Sequence, residues 1–166
     1  MRGMMAIAVF LTLVLGPGSL SAQEAGIAVG SKAPVVTIPD LDGKPVDLGQ
    51  YIGRKPLFLE FWATWCELCE ELLPRVRAAK AAYGDRVEFL GINVTVNQSR
   101  DRVRRYLEQH QPGFRTLYDE EGTSIRAYEA PATSYVVIVD RSGKVAYTGS
   151  GGAQEFDAVL RRITQN

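Results

Sequence analysis

Phe61-Trp62-Ala63-Thr64-Trp65-Cys66-Glu67-Leu68-Cys69 carries an apolar run into a helical pattern and holds both cysteines of the 166-residue chain. A Cys-x-x-Cys pair at a helix start sets one sulfur at the partly positive helix end and the other one turn further in. At that spacing the two can close a small disulfide ring. Thiolate is the species that attacks a disulfide, so Cys66 is the expected exposed nucleophile and Cys69 the resolving thiol. Competing readings of the pair fare worse. A structural zinc site needs four ligands, and the chain's one histidine, His110, lies far along the sequence. Haem attachment needs His after the second Cys, where Glu70 stands. A disulfide spanning so few residues removes little unfolded-chain entropy and is a poor staple. A redox-active disulfide with neither metal nor cofactor is the expectation.

Outward from this stretch, Leu57 to Trp62 reads as a central strand buried on both faces, interrupted only by Glu60. A helix is expected from Glu67 to about Tyr83, ending at Gly84-Asp85, with a kink at Pro74, which has no amide proton to donate. Val87 to Val94 reads as a further strand. Ser99 can cap a second helix whose positions Val103, Tyr106, Leu107 and His110 follow helical spacing. Tyr135 to Val139 and Val145 to Thr148 flank Asp140-Arg141-Ser142-Gly143, a hairpin signal. Phe156, Val159, Leu160 and Ile163 share one face of a closing helix. Before the central strand, Val35 to Ile38 and Val46 to Leu48 flank a tight turn at Asp40-Leu41-Asp42-Gly43-Lys44. The expected fold class is therefore α/β, a mixed sheet flanked by helices with an extra N-terminal β-hairpin.

The first residues read as a leader. Arg2 gives a short positive region, Met4 to Leu15 form an apolar run broken only by Thr12, Gly16-Pro17-Gly18 breaks any helix, and Ser19-Leu20-Ser21-Ala22 offers a cleavage site. A run of twelve residues falls short of the roughly 20 that span a bilayer, so a cleaved signal peptide is preferred over an anchor. The expected organisation is a signal peptide at 1–22, a flexible lead-in at 23–26 and one domain at 27–166. Export would place the cysteines in a periplasmic or other extracytoplasmic compartment, where disulfides persist. Composition is ordinary for a globular chain, 46% apolar and 23% charged with 19 bases against 19 acids. No basic block suggests a nucleic-acid partner.

The surroundings of the pair colour its chemistry. Glu67, Glu70 and Glu71 oppose thiolate formation and offset the helix-end field. A potential nearer about −270 mV than about −120 mV is expected. Glu60, a carboxyl in an apolar strand, is expected to have a raised pKa suited to proton transfer with Cys69. Trp65 is expected beside the sulfurs and Trp62 in the core. His110 is read as a surface or core residue. Gly149-Ser150-Gly151-Gly152 lacks the spacing of a dinucleotide fingerprint and reads as a turn. Asn93-Val94-Thr95 and Asn97-Gln98-Ser99 match the glycosylation pattern, with Asn93 placed in a strand.

These residues resemble a known family. Phe61 to Cys69, with Pro74 five residues later, looks like a thioredoxin-fold active site. More narrowly, Gly30-Ser31-Lys32-Ala33-Pro34, Leu41-Asp42-Gly43-Lys44, Tyr51-Ile52-Gly53-Arg54-Lys55-Pro56, Leu117 to Gly122 and Asp140 to Lys144 resemble the exported TlpA/ResA-type thiol:disulfide oxidoreductases. The resemblance implies a thioredoxin fold and reduction of protein disulfides outside the cytoplasm, often in cytochrome c maturation. It also implies a disulfide-bearing protein substrate and a membrane or soluble thiol electron donor, with a monomer expected. Three departures stand out. Leu68 replaces the usual Pro before the second Cys, and Leu72 stands where many members carry a catalytic Glu. The family's cis-Pro opposite the cysteines aligns with Ser134; a shift of three residues would bring Pro131 there instead. Ser134 is the preferred assignment, giving Trp65, Thr133 and Ser134 as expected substrate-binding residues. A peroxidase of the peroxiredoxin type would want Pro and Thr or Ser where Leu59 and Ala63 stand. A metal chaperone or redox binding module of the same fold is the third reading.

Overall fold

The computed structural model describes residues 25–165. The expected leader at 1–22 lies outside them. Seven strands and four helices follow one another as β1 (Thr37–Pro39), β2 (Pro45–Asp47), β3 (Leu57–Trp62), α1 (Glu67–Tyr83), β4 (Glu88–Val94), α2 (Arg100–His110), β5 (Arg115–Asp119), α3 (Thr123–Ala127), β6 (Tyr135–Val139), β7 (Val145–Ser150) and α4 (Asp157–Thr164). A 3₁₀ turn at Leu48–Gln50 separates β2 from β3.

Strands β3 to β7 form one sheet in the order β5-β4-β3-β6-β7, and β1 pairs with β2 in a separate hairpin. β3 runs parallel to β4, and β4 to β5, while β6 is antiparallel to β3 and β7 to β6. The parallel pairs require crossovers, which α1 and α2 supply. Every residue of β3 is buried, as a central strand covered on both faces must be.

Alternation along β3 splits the core. Leu57, Leu59 and Phe61 join Ile38, Val46, Leu48, Tyr128 and Tyr135 on the hairpin face. Phe58 joins Leu72, Val76, Phe156 and Leu160, from α1 and α4, on the opposite face. Trp62 packs beyond it with Cys66, Cys69 and Val103 of α2. Glu60, between Phe58 and Trp62 in the alternation, is thus directed toward the layer that carries the cysteines.

Sequence reading gave β3, α1 and β6 with their observed ends. α1 runs continuously through Pro74. Periodicity marks no strand or helix between His110 and Tyr135, where β5 and α3 lie. α3 is only five residues long, and its start is fixed by buried Asp119, whose carboxylate accepts from the amides of Thr123, Ser124 and Ile125. Such capping leaves no periodicity to detect.

The segment ahead of the hairpin is stitched to the last strands of the chain. Gly30 N–H donates to Val145 O at 2.8 Å, Ala33 N–H to Gly143 O at 2.9 Å, and Val145 N–H to Ser31 O at 2.9 Å. Ile27 N–H donates to the Tyr135 hydroxyl at 3.1 Å. Arginines tie the β1–β2 turn to the sheet side: Arg115 pairs with Asp40 at 2.8 Å, Arg100 donates to Asp40 O, and Arg104 donates to Leu41 O and Asp42. Among the described residues no helix is long and apolar enough to cross a membrane.

Candidate active site

Cys66 is the N-cap of α1 and Cys69 lies in its first turn; the two are joined as a disulfide with Cα atoms 5.2 Å apart. The backbone of Cys66 is extended, which lets its Sγ accept a hydrogen bond from the Cys69 amide at 3.1 Å. That amide, which also donates to Cys66 O at 3.1 Å, belongs to the first turn of the helix, so a negative charge on Cys66 Sγ would be met by a fixed donor and the helix dipole. Glu67 and Glu70 sit in the same first turn with exposed side chains, and their charges oppose that effect.

Access differs from the expectation of an exposed first thiol. Cys66 is 6% exposed and Cys69 4%, while Trp65 and Leu68 are 43% and 48% exposed. In the closed disulfide both sulfurs are drawn into the cluster with Trp62, Ala63, Val103 and Tyr118, and the flanking apolar side chains occupy the surface. The loop is pinned from one side. Trp65 Nε1 donates to Val96 O at 2.8 Å and Thr64 N–H donates to Gln98 Oε1 at 3.1 Å.

Glu60 is 3% exposed, and burial pushes its carboxyl up to about 8. Its Oε2 has no hydrogen-bond partner. Glu60, Trp62, Cys69, Leu73, Tyr106, Pro112 and Phe114 line one cavity of about 10 Å³, the space of about one water. The structure thus brings Glu60 and Cys69 to the same void. The Trp62 indole N–H, also without a partner, is part of its wall. Gly91, paired with Glu60 across β3 and β4, keeps the wall in place: a Cβ there would run into the Phe114 ring and come within 2.7 Å of Trp62 Nε1. Tyr106 stacks between Trp62 and His110, with ring centroids 5.2 Å and 3.9 Å away. Burial first, then the charges of Glu70 and Glu60, push the Tyr106 hydroxyl up to about 12. Gly91, Tyr106, Pro112 and Phe114 were not picked out as site residues from the sequence. The helical spacing of Tyr106 was visible, but its role depends on the α2 crossover.

Ser134 precedes Tyr135, which pairs with Phe61, so it lies at the end of the sheet from which the Cys66 loop departs. It is fully buried in a left-handed conformation, φ 57°. Its carbonyl accepts from Gln154 Nε2 at 2.8 Å and Gly151 N–H at 3.2 Å, and its Oγ from Gly151 N–H at 3.1 Å. Thr133 is half-buried beside it, whereas Pro131 is exposed; no peptide bond among the described residues is cis. Gln154, which holds this loop, carried no sequence signal. Asn93 is buried in β4, its amide donating to Trp62 O at 3.4 Å. His110 Nδ1 lies 3.1 Å from the Tyr106 carbonyl, at the far side of the stack from Trp62.

Residues 28–160 match the model of the Redoxin family. The thiol-disulfide oxidoreductase ResA of Geobacillus thermodenitrificans is 32% identical over 124 residues, 74% of this chain and 70% of that protein. ResA of Geobacillus kaustophilus is 29% identical over 170 residues, 98% of this chain and 96% of that one. Among solved structures, the thioredoxin domain of a thiol-disulfide oxidoreductase from Bacteroides vulgatus superposes with a TM-score of 0.70 at 21% identity, over 82% of this chain and 99% of that chain. A secreted disulfide oxidoreductase of Mycobacterium tuberculosis gives a TM-score of 0.66 at 24% identity, over 79% and 96%. These two likenesses establish the thioredoxin-like fold.

Proposed function

This chain belongs to the Redoxin family and is a thiol-disulfide oxidoreductase, and we propose that it acts as an exported reductant of protein disulfides. The observation that carries the reading is the Cys66–Cys69 pair at the start of α1, with Cys69 and the buried Glu60 on one cavity. In the reduced chain, the Cys66 thiolate attacks a substrate disulfide; a mixed disulfide forms and one substrate sulfur leaves as thiolate. Cys69 then loses its proton to Glu60 and attacks Cys66 Sγ, closing the Cys66–Cys69 bond and releasing the second substrate sulfur. A carboxyl that titrates at about 8 is matched to this transfer near neutral pH.

Exposed Trp65 and Leu68 supply apolar contact at the rim, and the family resemblance assigns substrate contact to Thr133 and Ser134 as well. The acids of α1 favour the reducing direction, because they disfavour the thiolate that a strong oxidant stabilises. Export rests on the apolar leader at 1–22, and service to cytochrome c maturation on the family resemblance.

The test is reduction of insulin disulfides by the reduced chain, with peroxide consumption followed alongside. Insulin turnover that Cys66→Ser abolishes, and a trapped mixed disulfide in Cys69→Ser, are the expected results. Peroxide consumption without insulin reduction would replace the reading with a peroxidase.

A further inference from the structure

Helix α2 carries four arginines on two stripes. Arg100 and Arg104, one turn apart, are spent on the N-terminal hairpin and its surroundings: Arg100 on Glu120 and Asp40 O, Arg104 on Asp42, Asp101 and Leu41 O. Arg102 and Arg105 share the other stripe with Tyr106 and Gln109, positions three and four apart that neighbour one another on a helix surface. Neither Arg102 nor Arg105 has an ion pair or side-chain hydrogen bond among the described residues. Two like charges one turn apart repel, so leaving both without a counter-charge has a cost.

What these arginines face is the active-site loop. Thr64, Arg102, Arg105, Tyr106 and Gln109 line a cleft of about 430 Å³, and Thr64 lies two residues before Cys66. Val103, between the arginines in sequence, packs in the same cluster as both cysteines. The Thr64–Gln98 and Trp65–Val96 hydrogen bonds fix the start of α2 against the loop, so the cleft keeps its place relative to the sulfurs. The Thr64 hydroxyl is buried without a partner, a further polar group in this wall.

The chemistry of this lining selects a carboxylate. Guanidinium groups present paired donors that match its two oxygens. Arg102, Arg105 and Gln109 are exposed, so the cleft is open to the side chain of an arriving protein. We propose that the Arg102/Arg105 cleft receives an acidic side chain of the protein substrate next to the cysteine that Cys66 attacks. The assignment rests on the exchange reading above and adds a substrate preference to it. An acid presented on the α2 side of the substrate meets complementary charge there.

The experiment uses the full chain, pre-reduced, with two disulfide-linked peptide dimers as probes. In one the cysteine is flanked by glutamates; in the other, lysines replace them. The ratio of their exchange rates is compared in the parent protein, in Arg102→Gln/Arg105→Gln and in Arg104→Gln, whose guanidinium is engaged elsewhere. The ratio cancels any change in Cys66 reactivity and any difference in peptide thiol acidity. The double variant is expected to lower the acidic-to-basic ratio by at least about threefold, the fall shrinking at high salt. Arg104→Gln should move it less. A ratio that stays put, or both rates falling together, overturns the cleft as a carboxylate site while leaving exchange intact. Failure of the parent protein to exchange with either peptide would instead refute the exchange reading itself.

Discussion

Glu60 and Cys69 face a common cavity although they come from β3 and from the first turn of α1. The meeting is a product of strand alternation and helix phase. Glu60 is turned to the α1 side of the sheet, and Cys69, one turn into the helix, is turned back to the sheet.

Replacing this carboxyl with an amide keeps its shape and removes the proton acceptor. Glu60→Gln is expected to slow the resolving attack by Cys69 by about tenfold or more. In the parent protein that step should accelerate as pH rises through about 8, where Glu60 ionises, and the variant should lose this rise. Single-turnover release of the second substrate thiol, followed from pH to pH, measures both. Unchanged rates in Glu60→Gln would remove Glu60 from the mechanism.

The same group makes stability pH-dependent. Burial lifts its titration from 4.5 to about 8, so between these values the folded chain holds a proton that the unfolded chain has lost. Stability therefore falls as pH rises through this window and levels off above it. Urea denaturation of parent and Glu60→Gln should give a difference that grows in favour of the variant from about pH 4 to about pH 8, by at most about 1.4 kcal/mol per pH unit. Parallel profiles would mean that the carboxyl is already ionised in the fold.

The Ser134 turn, at the end of the sheet from which the Cys66 loop departs, is held by Gln154. Ser134→Gly accepts the φ of 57° without strain, whereas Ser134→Pro cannot adopt it. Ser134→Pro should thus destabilise by about 2 kcal/mol or more, with the glycine variant close to the parent. Gln154→Ala should cost about 1–3 kcal/mol, since it removes the donor shared by the carbonyls of Ser134 and Gly151. Denaturation midpoints decide these cases; a proline variant as stable as the parent would show that the left-handed turn is not fixed.

Acidic side chains at the start of α1 are expected to lower the potential of the pair. Neutralising Glu67 and Glu70 as glutamines favours a thiolate on Cys66, stabilises the reduced pair, and should shift the potential in the oxidising direction by about 10 mV per charge. Equilibration with dithiothreitol buffers at neutral pH reads the shift, and a move in the reducing direction would contradict the account.

The site's covalent centre was open to sequence reading because two cysteines, a helix start and one acid in an apolar strand are local signals. The walls were not. Phe114 and Pro112 reach the cavity through the α2–β5 connection, and Gly91 matters only through its register with Glu60. β5 begins with Arg115 and ends with Asp119, side chains whose partners, Asp40 and the α3 amides, lie elsewhere in the chain. Its apolar content is too short to separate from a loop. By contrast β3 and β6 have apolar runs, broken in β3 only by Glu60, and α1 has marked ends, so their limits could be read directly.

The stitching of Gly30, Ser31 and Ala33 to Gly143 and Val145 also governs the order in which the chain can fold. These early residues have partners more than a hundred positions later in the chain, and Ile27 waits for Tyr135, 108 residues on. Until β6 and β7 exist, this leading stretch has nothing to dock against and the loop it must close is long. The start of the fold is therefore among the last parts to settle as the chain folds, after the cysteine-bearing half has assembled.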